Sequence, residues 1–235
     1  MSGNTDSTPQ AQFADLIAIM NKLRSPGGCP WDQEQDHRSL RRCLLEEAYE
    51  VLQAIDSSDP AALRQELGDL LLQVIFHAQL AAEAGHFDIA DVIQDLHDKL
   101  VKRHPHVFSD KVIESAEAVV QEWESLKREE RGHTTADQMS GVPQALPALA
   151  RAQVAQRQAR RAGLEPAAEG GRRALAEALR RLDSTADAHD VEGAVGDLLF
   201  AAVDLARGHG VEAEQALRER VNRFVAEFSR RPSDA

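Results

Sequence analysis

Basic residues are outnumbered in this chain: 27 Lys and Arg stand against 39 Asp and Glu, a formal charge of −12. That deficit argues against a general affinity for DNA or RNA polymers, whose backbones require a basic surface. A single nucleotide remains compatible, its charge met by bound metal and a few local cations. Cysteine is nearly missing too. Cys29 and Cys43 are the only two, too few and too unpatterned for a disulfide framework. No apolar run approaches the length of a membrane span. Met1 to Gln12, polar and uncharged apart from Asp6, resembles neither a signal nor a transit peptide. A cytoplasmic protein with no membrane partner is expected. There is no Walker A loop and no dinucleotide glycine fingerprint. His104-Pro105-His106 and the two cysteines lack zinc-ligand spacing.

Strand signals are scarce as well: aromatics are 4% of the 235 residues, while Ala, Leu, Glu, Gln and Arg recur with apolar residues at helical spacing. An all-α chain follows, long enough for one large domain or two small ones. The first helix is expected over Phe13–Leu23 and is ended by Ser25-Pro26-Gly27-Gly28-Cys29-Pro30. A second runs from about Ser39 to Ile55. Asp59 is placed to cap a third, with Pro60 at its first position and its end near Ala84. Asp88 caps a fourth, to about Arg103, which stops at His104-Pro105. Short connections make these four a bundle. Further helices are expected over Glu114–Arg131, Leu149–Ala162, Ala174–Leu182, Val191–Arg207 and Ala213–Phe228. The expected organisation is a flexible 1–12, a four-helix domain over 13–110, a connecting helix and linker over 111–147, and a second helical domain over 148–235.

The two halves echo each other. Gly68-Asp69-Leu70-Leu71 recurs as Gly196-Asp197-Leu198-Leu199, each inside a long apolar helix. The second copy has lost its acids: Ala194 stands where the first has Glu66, and the helix before it offers only Glu177. The second half therefore reads as degenerate and structural.

In the first half, Glu47 and Glu50, then Glu66 and Asp69, are spaced i, i+3, so each pair lies on one helical stripe. Like charges so placed repel, and a hard divalent cation offsets the cost. Mg²⁺ prefers oxygen ligands and bridges to substrate phosphates, which points to metal-assisted chemistry on a phosphorylated small molecule. Gln73 continues the stripe of Glu66 and Asp69, apart from the apolar face of Leu67, Leu70, Leu71 and Val74. A solvated acidic face balanced by Arg42 and Arg64 is the competing explanation for one such pair, and a weak one for two pairs on consecutive helices.

The motifs together are recognisable. Glu46-Glu47-x-x-Glu50 followed by Glu66-x-x-Asp69, with Gly28-Cys29-Pro30-Trp31-Asp32 before and Lys102-Arg103-His104-Pro105-His106-Val107-Phe108 after, resembles the MazG family of nucleoside triphosphate pyrophosphohydrolases. The likeness is close through residues 13 to 110. It continues more weakly into Gly141-Val142-Pro143-Gln144-Ala145-Leu146-Pro147, similar to the family's linker to a second MazG domain. The resemblance implies two MazG-like helical bundles in tandem, homodimers, Mg²⁺ with Mn²⁺ as a substitute, and cleavage of NTPs or dNTPs to monophosphate and pyrophosphate for nucleotide-pool housecleaning. It implies metal ligands at Glu47, Glu50, Glu66 and Asp69. Glu46 and Glu50 are the candidates to activate water, and Glu46 has an even structural alternative as partner of Arg42. Lys99, Lys102 and Arg103 are candidate phosphate contacts, although basic residues in a last turn also suit the helix dipole. Many members carry Asn where this chain has His97. Trp31, Asp32, Gln35 and His37 are candidates for the base pocket, by stacking and edge recognition; alternatively Trp31 plugs the bundle and Asp32 caps a turn. A non-catalytic helical protein that binds Mg²⁺ and nucleotide for regulation is the other class.

Overall fold

The computed structural model describes residues 8–109, 113, 115–131, 141–163, 170–184 and 188–229, and among them the regular elements are all helices. The chain is all-α. Contacts divide it into two units, Met1–Val112 and Ile113–Ala235.

The first unit opens with α1, Pro9–Arg24, capped by the Thr8 hydroxyl, which accepts from the Ala11 amide at 3.3 Å. With Pro9 pre-set for the first turn, this cap starts the helix four residues ahead of the apolar periodicity. Most of the expected flexible 1–12 lies outside the described residues or within α1. The Gly-rich loop that follows holds Gly27 at φ 81°, and a Cβ on Gly28 would collide with the Lys22 and Leu23 carbonyl oxygens, so glycine is required there. That turn leads into a five-residue helix the sequence reading missed, α2, Pro30–Glu34.

Next come α3, Arg41–Ser57, and α4, Pro60–Glu83. They pack along each other and form the backbone of the unit. Asp59 caps α4 as expected, its Oδ1 accepting from Ala61 at 2.8 Å and Ala62 at 3.3 Å. Gly85, at φ 70°, turns the chain after it. Asp88 and Asp91 then form a reciprocal capping box that starts α5, Ile89–Arg103. His104-Pro105 ends α5 but opens a single-turn helix, α6, Pro105–Phe108. The core joins Met20 of α1 and Leu40 to Ile75, Phe76 and Leu80 of α4, with Phe13 and Cys43 against it.

The apolar stripe of α5 is left open among the described residues of this unit. Ile93, Leu96 and Leu100, the apolar stripe of α5, are 48%, 52% and 47% exposed. Short connections brought α5 next to α4, and among the described residues its stripe is left exposed.

In the second unit, α7, Ala116–Arg131, precedes the expected linker, of which 132–140 lies outside the described residues. The remaining helices are α8, Ala148–Arg161; α9, Gly170–Ser184; α10, Ala188–Gly208; and α11, Ala213–Ser229. α9 packs along α10 much as α3 packs along α4, and α8 rests on α10 and α11. Buried Gln153 joins two elements here: its Nε2 donates to the Val211 carbonyl at 3.1 Å, and its Oε1 accepts from the Ala213 amide at 2.9 Å, which caps α11.

Candidate metal centre and nucleotide site

The α3–α4 pair brings three of the four expected metal ligands together. Glu47 of α3 and Glu66 and Asp69 of α4 each present an oxygen within 4.8 Å of the other two. All three are half-buried, and no Lys or Arg pairs with any of them among the described residues. The electrostatic cost falls on Glu47. Burial, then the negative charges of Glu50, Asp69 and Glu66, with a hydrogen bond to Glu50, push its carboxyl above the ordinary 4.5. Three convergent carboxylates with no internal counter-charge form a hard-oxygen donor set, which suits a cation such as Mg²⁺, Mn²⁺ or Ca²⁺ and not a soft metal. The donor chemistry therefore fits the implied ion.

Glu50 adjoins this group through Glu47 but is itself exposed and outside the clustered three. Glu46 points elsewhere: it is exposed and accepts from Arg42 Nε at 2.7 Å, an i, i+4 pair along α3.

The stripe of α4 continues past Asp69. Gln73 is 5% exposed with its side-chain oxygen unpartnered. One turn on, His77 meets His37, their Nδ1 atoms 2.8 Å apart and their rings stacked at 5.1 Å. One ring must donate through Nδ1 and the other accept. Burial, then the neighbouring His37, holds His77 below the ordinary 6.5. Sequence reasoning did not single out His77, although it follows Glu66, Asp69 and Gln73 at helical spacing, which was the available signal.

Trp31 and Asp32 lie on α2, Trp31 57% exposed and Asp32 half-buried. Gln35 ties this segment to itself, donating from Nε2 to the Trp31 carbonyl at 2.8 Å and accepting from the Ser39 hydroxyl at 2.8 Å. Trp31 is therefore more than half exposed on a hydrogen-bonded platform that reaches α4 through the His37–His77 stack. The plug alternative for Trp31 does not describe a ring this exposed. Lys99 and Lys102 are exposed and Arg103 half-buried in the last turns of α5. His97, at the position where the family often has Asn, contacts Asp98 at 2.9 Å. A half-open cavity of about 560 Å³ lies elsewhere, between α1 and the C-terminal half of α4, lined by Ile17, Arg24, Ile75 and Glu83 among others. The acidic cluster sits in the N-terminal half of α4, so we assign the cavity no part in the chemistry.

In the second unit the matching position is spent internally. Asp197 accepts from Arg181 Nη1 at 2.8 Å, and Ala194, in the place of Glu66, is buried.

Residues 35–108 match the model of the MazG nucleotide pyrophosphohydrolase domain. The chain is 42% identical to the Thermotoga maritima nucleoside triphosphate pyrophosphohydrolase/pyrophosphatase MazG, over 93% of this chain and 84% of that protein. It is 41% identical to a nucleoside triphosphate pyrophosphohydrolase of Escherichia coli, over 92% and 86%. A Mycobacterium tuberculosis protein of the same description is 45% identical over 68% of this chain and 48% of its own length.

Proposed function

The chain belongs to the MazG family of nucleotide pyrophosphohydrolases, and on that footing we propose that it hydrolyses nucleoside triphosphates to monophosphate and pyrophosphate with Mg²⁺ bound in its first unit. The observation that carries this is the convergence of Glu47, Glu66 and Asp69 with no Lys or Arg paired to them among the described residues. Mn²⁺, with the same preference for oxygen, would substitute. Once held, the ion supplies neutralisation of triphosphate charge and a more acidic bound water.

The chain's own residues do the rest. Glu47, Glu66 and Asp69 hold the charge that fixes the triphosphate's position. Glu50, exposed beside Glu47, accepts the proton of the attacking water. The water oxygen bonds to the α-phosphorus, the bond from that phosphorus to its β-bridging oxygen breaks, and pyrophosphate leaves with the electron pair. Glu46 is the weaker candidate for base because Arg42 engages it. Lys99, Lys102 and Arg103 contact the β- and γ-phosphates, and Trp31 stacks on the base while Asp32 and His37 read its edge. The exposure of Trp31 and the His37–His77 stack beside it favour that assignment.

A second copy covers the apolar stripe of α5, since exposed large hydrophobics in sequence at Ile93, Leu96 and Leu100 are otherwise costly. The second unit is a degenerate copy of the first, and the activity serves removal of unwanted nucleotides in the cytoplasm. The test is a panel of the eight common NTPs and dNTPs with and without Mg²⁺, following monophosphate and pyrophosphate together. Equimolar release only with metal is expected; release of orthophosphate, or turnover indifferent to metal, would refute the reaction.

A further inference from the structure

Arg24, the last residue of α1, is the most heavily engaged charge described in the first unit. Its side chain is 7% exposed. Nε donates to both oxygens of Glu83, at 2.8 and 3.1 Å, and Nη2 donates to Glu83 Oε2 at 2.7 Å. Nη1 turns the other way and donates to the Asp32 and Gln35 carbonyls, the latter at 3.3 Å. The guanidinium carbon stands 5.4 Å from the centre of the Phe76 ring, and Gln79 Nε2 supports Glu83 at 3.0 Å. The Arg24 hydrogen bond is also the main reason that Glu83 sits below the ordinary carboxylate range.

The two carbonyls belong to the open end of α2, where helix geometry leaves acceptors with spare capacity; that of Asp32 accepts only a long bond, 3.3 Å, from the Gln35 amide. Five residues cannot hold a helix by propensity, so α2 needs fixing from outside. Arg24 does this from a base on α4, the helix that also carries Glu66 and Asp69. We propose that Arg24, seated on Glu83, is a positioning residue for base recognition: it sets α2, and so Trp31, relative to the metal-binding helix without touching the nucleotide. This rests on the base-pocket reading of Trp31 given above. Only a planar fork serves carboxylate and carbonyls at once, so Lys should not replace it.

The test uses the full chain in a Trp123→Phe background, which leaves Trp31 as the only tryptophan. Arg24→Lys and Glu83→Gln are compared with Trp31→Ala by steady-state kinetics, Mg²⁺ titration and Trp31 fluorescence anisotropy. Arg24→Lys should raise KM about tenfold, the worth of one charge-assisted hydrogen bond. It should change kcat less than threefold, lower the anisotropy of Trp31 and leave the Mg²⁺ midpoint alone. Glu83→Gln should move the same quantities the same way, by less. If Trp31→Ala raises KM but Arg24→Lys moves neither KM nor anisotropy, the positioning role is overturned while the pocket stands. If Trp31→Ala leaves KM unchanged, it is the pocket that falls, and the anisotropy alone then decides whether Arg24 orders α2. Loss of helical signal in both Arg24→Lys and Glu83→Gln would assign the pair to folding and overturn the proposal.

Discussion

Replacing Glu47 by Gln should make the metal-free protein more stable and the Mg²⁺-loaded protein less so. Glu47 faces Glu66 and Asp69 with oxygens within 4.8 Å. At that distance two full charges repel by about 0.9 kcal/mol where water sets the dielectric, and about 3.5 kcal/mol at an effective dielectric of 20. These groups are half-buried and salt screens them, so we take the low end: relief of about 1 kcal/mol in EDTA, or about 4 °C in melting temperature for a unit of this size. Mg²⁺ at a hundred times its dissociation constant should stabilise wild type by about 2.7 kcal/mol. The variant, with one of three carboxylates gone, should gain little, so the order of stability reverses between the two conditions. The pH dependence gives a second reading of the same charge. Because the native carboxyl of Glu47 titrates above its ordinary 4.5, the native state holds the extra proton. Metal-free stability from this group is therefore full below 4.5 and falls as pH rises through the native value. Glu47→Gln should remove that slope. Thermal melts in EDTA and in Mg²⁺, from pH 4 to 8, measure all of it. A variant less stable than wild type in EDTA would mean that Glu47 is a structural carboxylate, and the metal assignment would lose its main support.

Four further outcomes follow from the same geometry. Glu50→Gln should lower kcat at least a hundredfold with helicity retained, while Asp197→Asn, in the second unit, should leave it within twofold; equal losses would show that both hairpins act. His77 is held below the ordinary 6.5 by burial and His37, so its contribution to stability is full above that value and is lost as pH falls below it, through the lower native value. Urea midpoints at pH 7.5 and 5.5 should therefore fall on acidification, and fall less in His77→Phe; an identical drop in both would refute the attribution. Leu96→Glu should turn a dimer into a monomer by light scattering, and a monomeric wild type would refute the covered stripe.

Local chemistry was legible where it acts over a few residues. Asp59-Pro60 and Asp88 with Asp91 capped helices where their side chains dictated, and i, i+3 spacing placed Glu66 and Asp69 on one edge of α4. What the sequence did not disclose depends on partners far along the chain. α2, a helix inside a Gly-Pro loop, has its carbonyl end bonded from outside by Arg24, with Glu83, 59 positions away, as the anchor. The His37–His77 stack spans 40 residues, and its only local trace is the extension of the α4 stripe. The exposure of the α5 stripe was not legible for the converse reason: loop length fixes which helices are neighbours, not whether a stripe such as that of α5 finds a face to cover it.

The repeated Gly-Asp-Leu-Leu segment shows what separates a binding hairpin from a structural one. Both copies sit in a long helix packed along its predecessor, so backbone and packing are shared. The difference is where the aspartate's charge is met. Asp69 faces two more carboxylates and, among the described residues, pairs with no cation, so an ion from outside is suited to settle its charge. Asp197 already has the Arg181 guanidinium at 2.8 Å, and the buried methyl of Ala194 replaces the second carboxylate. A divalent ion arriving there would have to displace an internal partner and would find one ligand in place of three. Charge balance within the hairpin, rather than its fold, is therefore what the proposed metal chemistry of the first unit rests on.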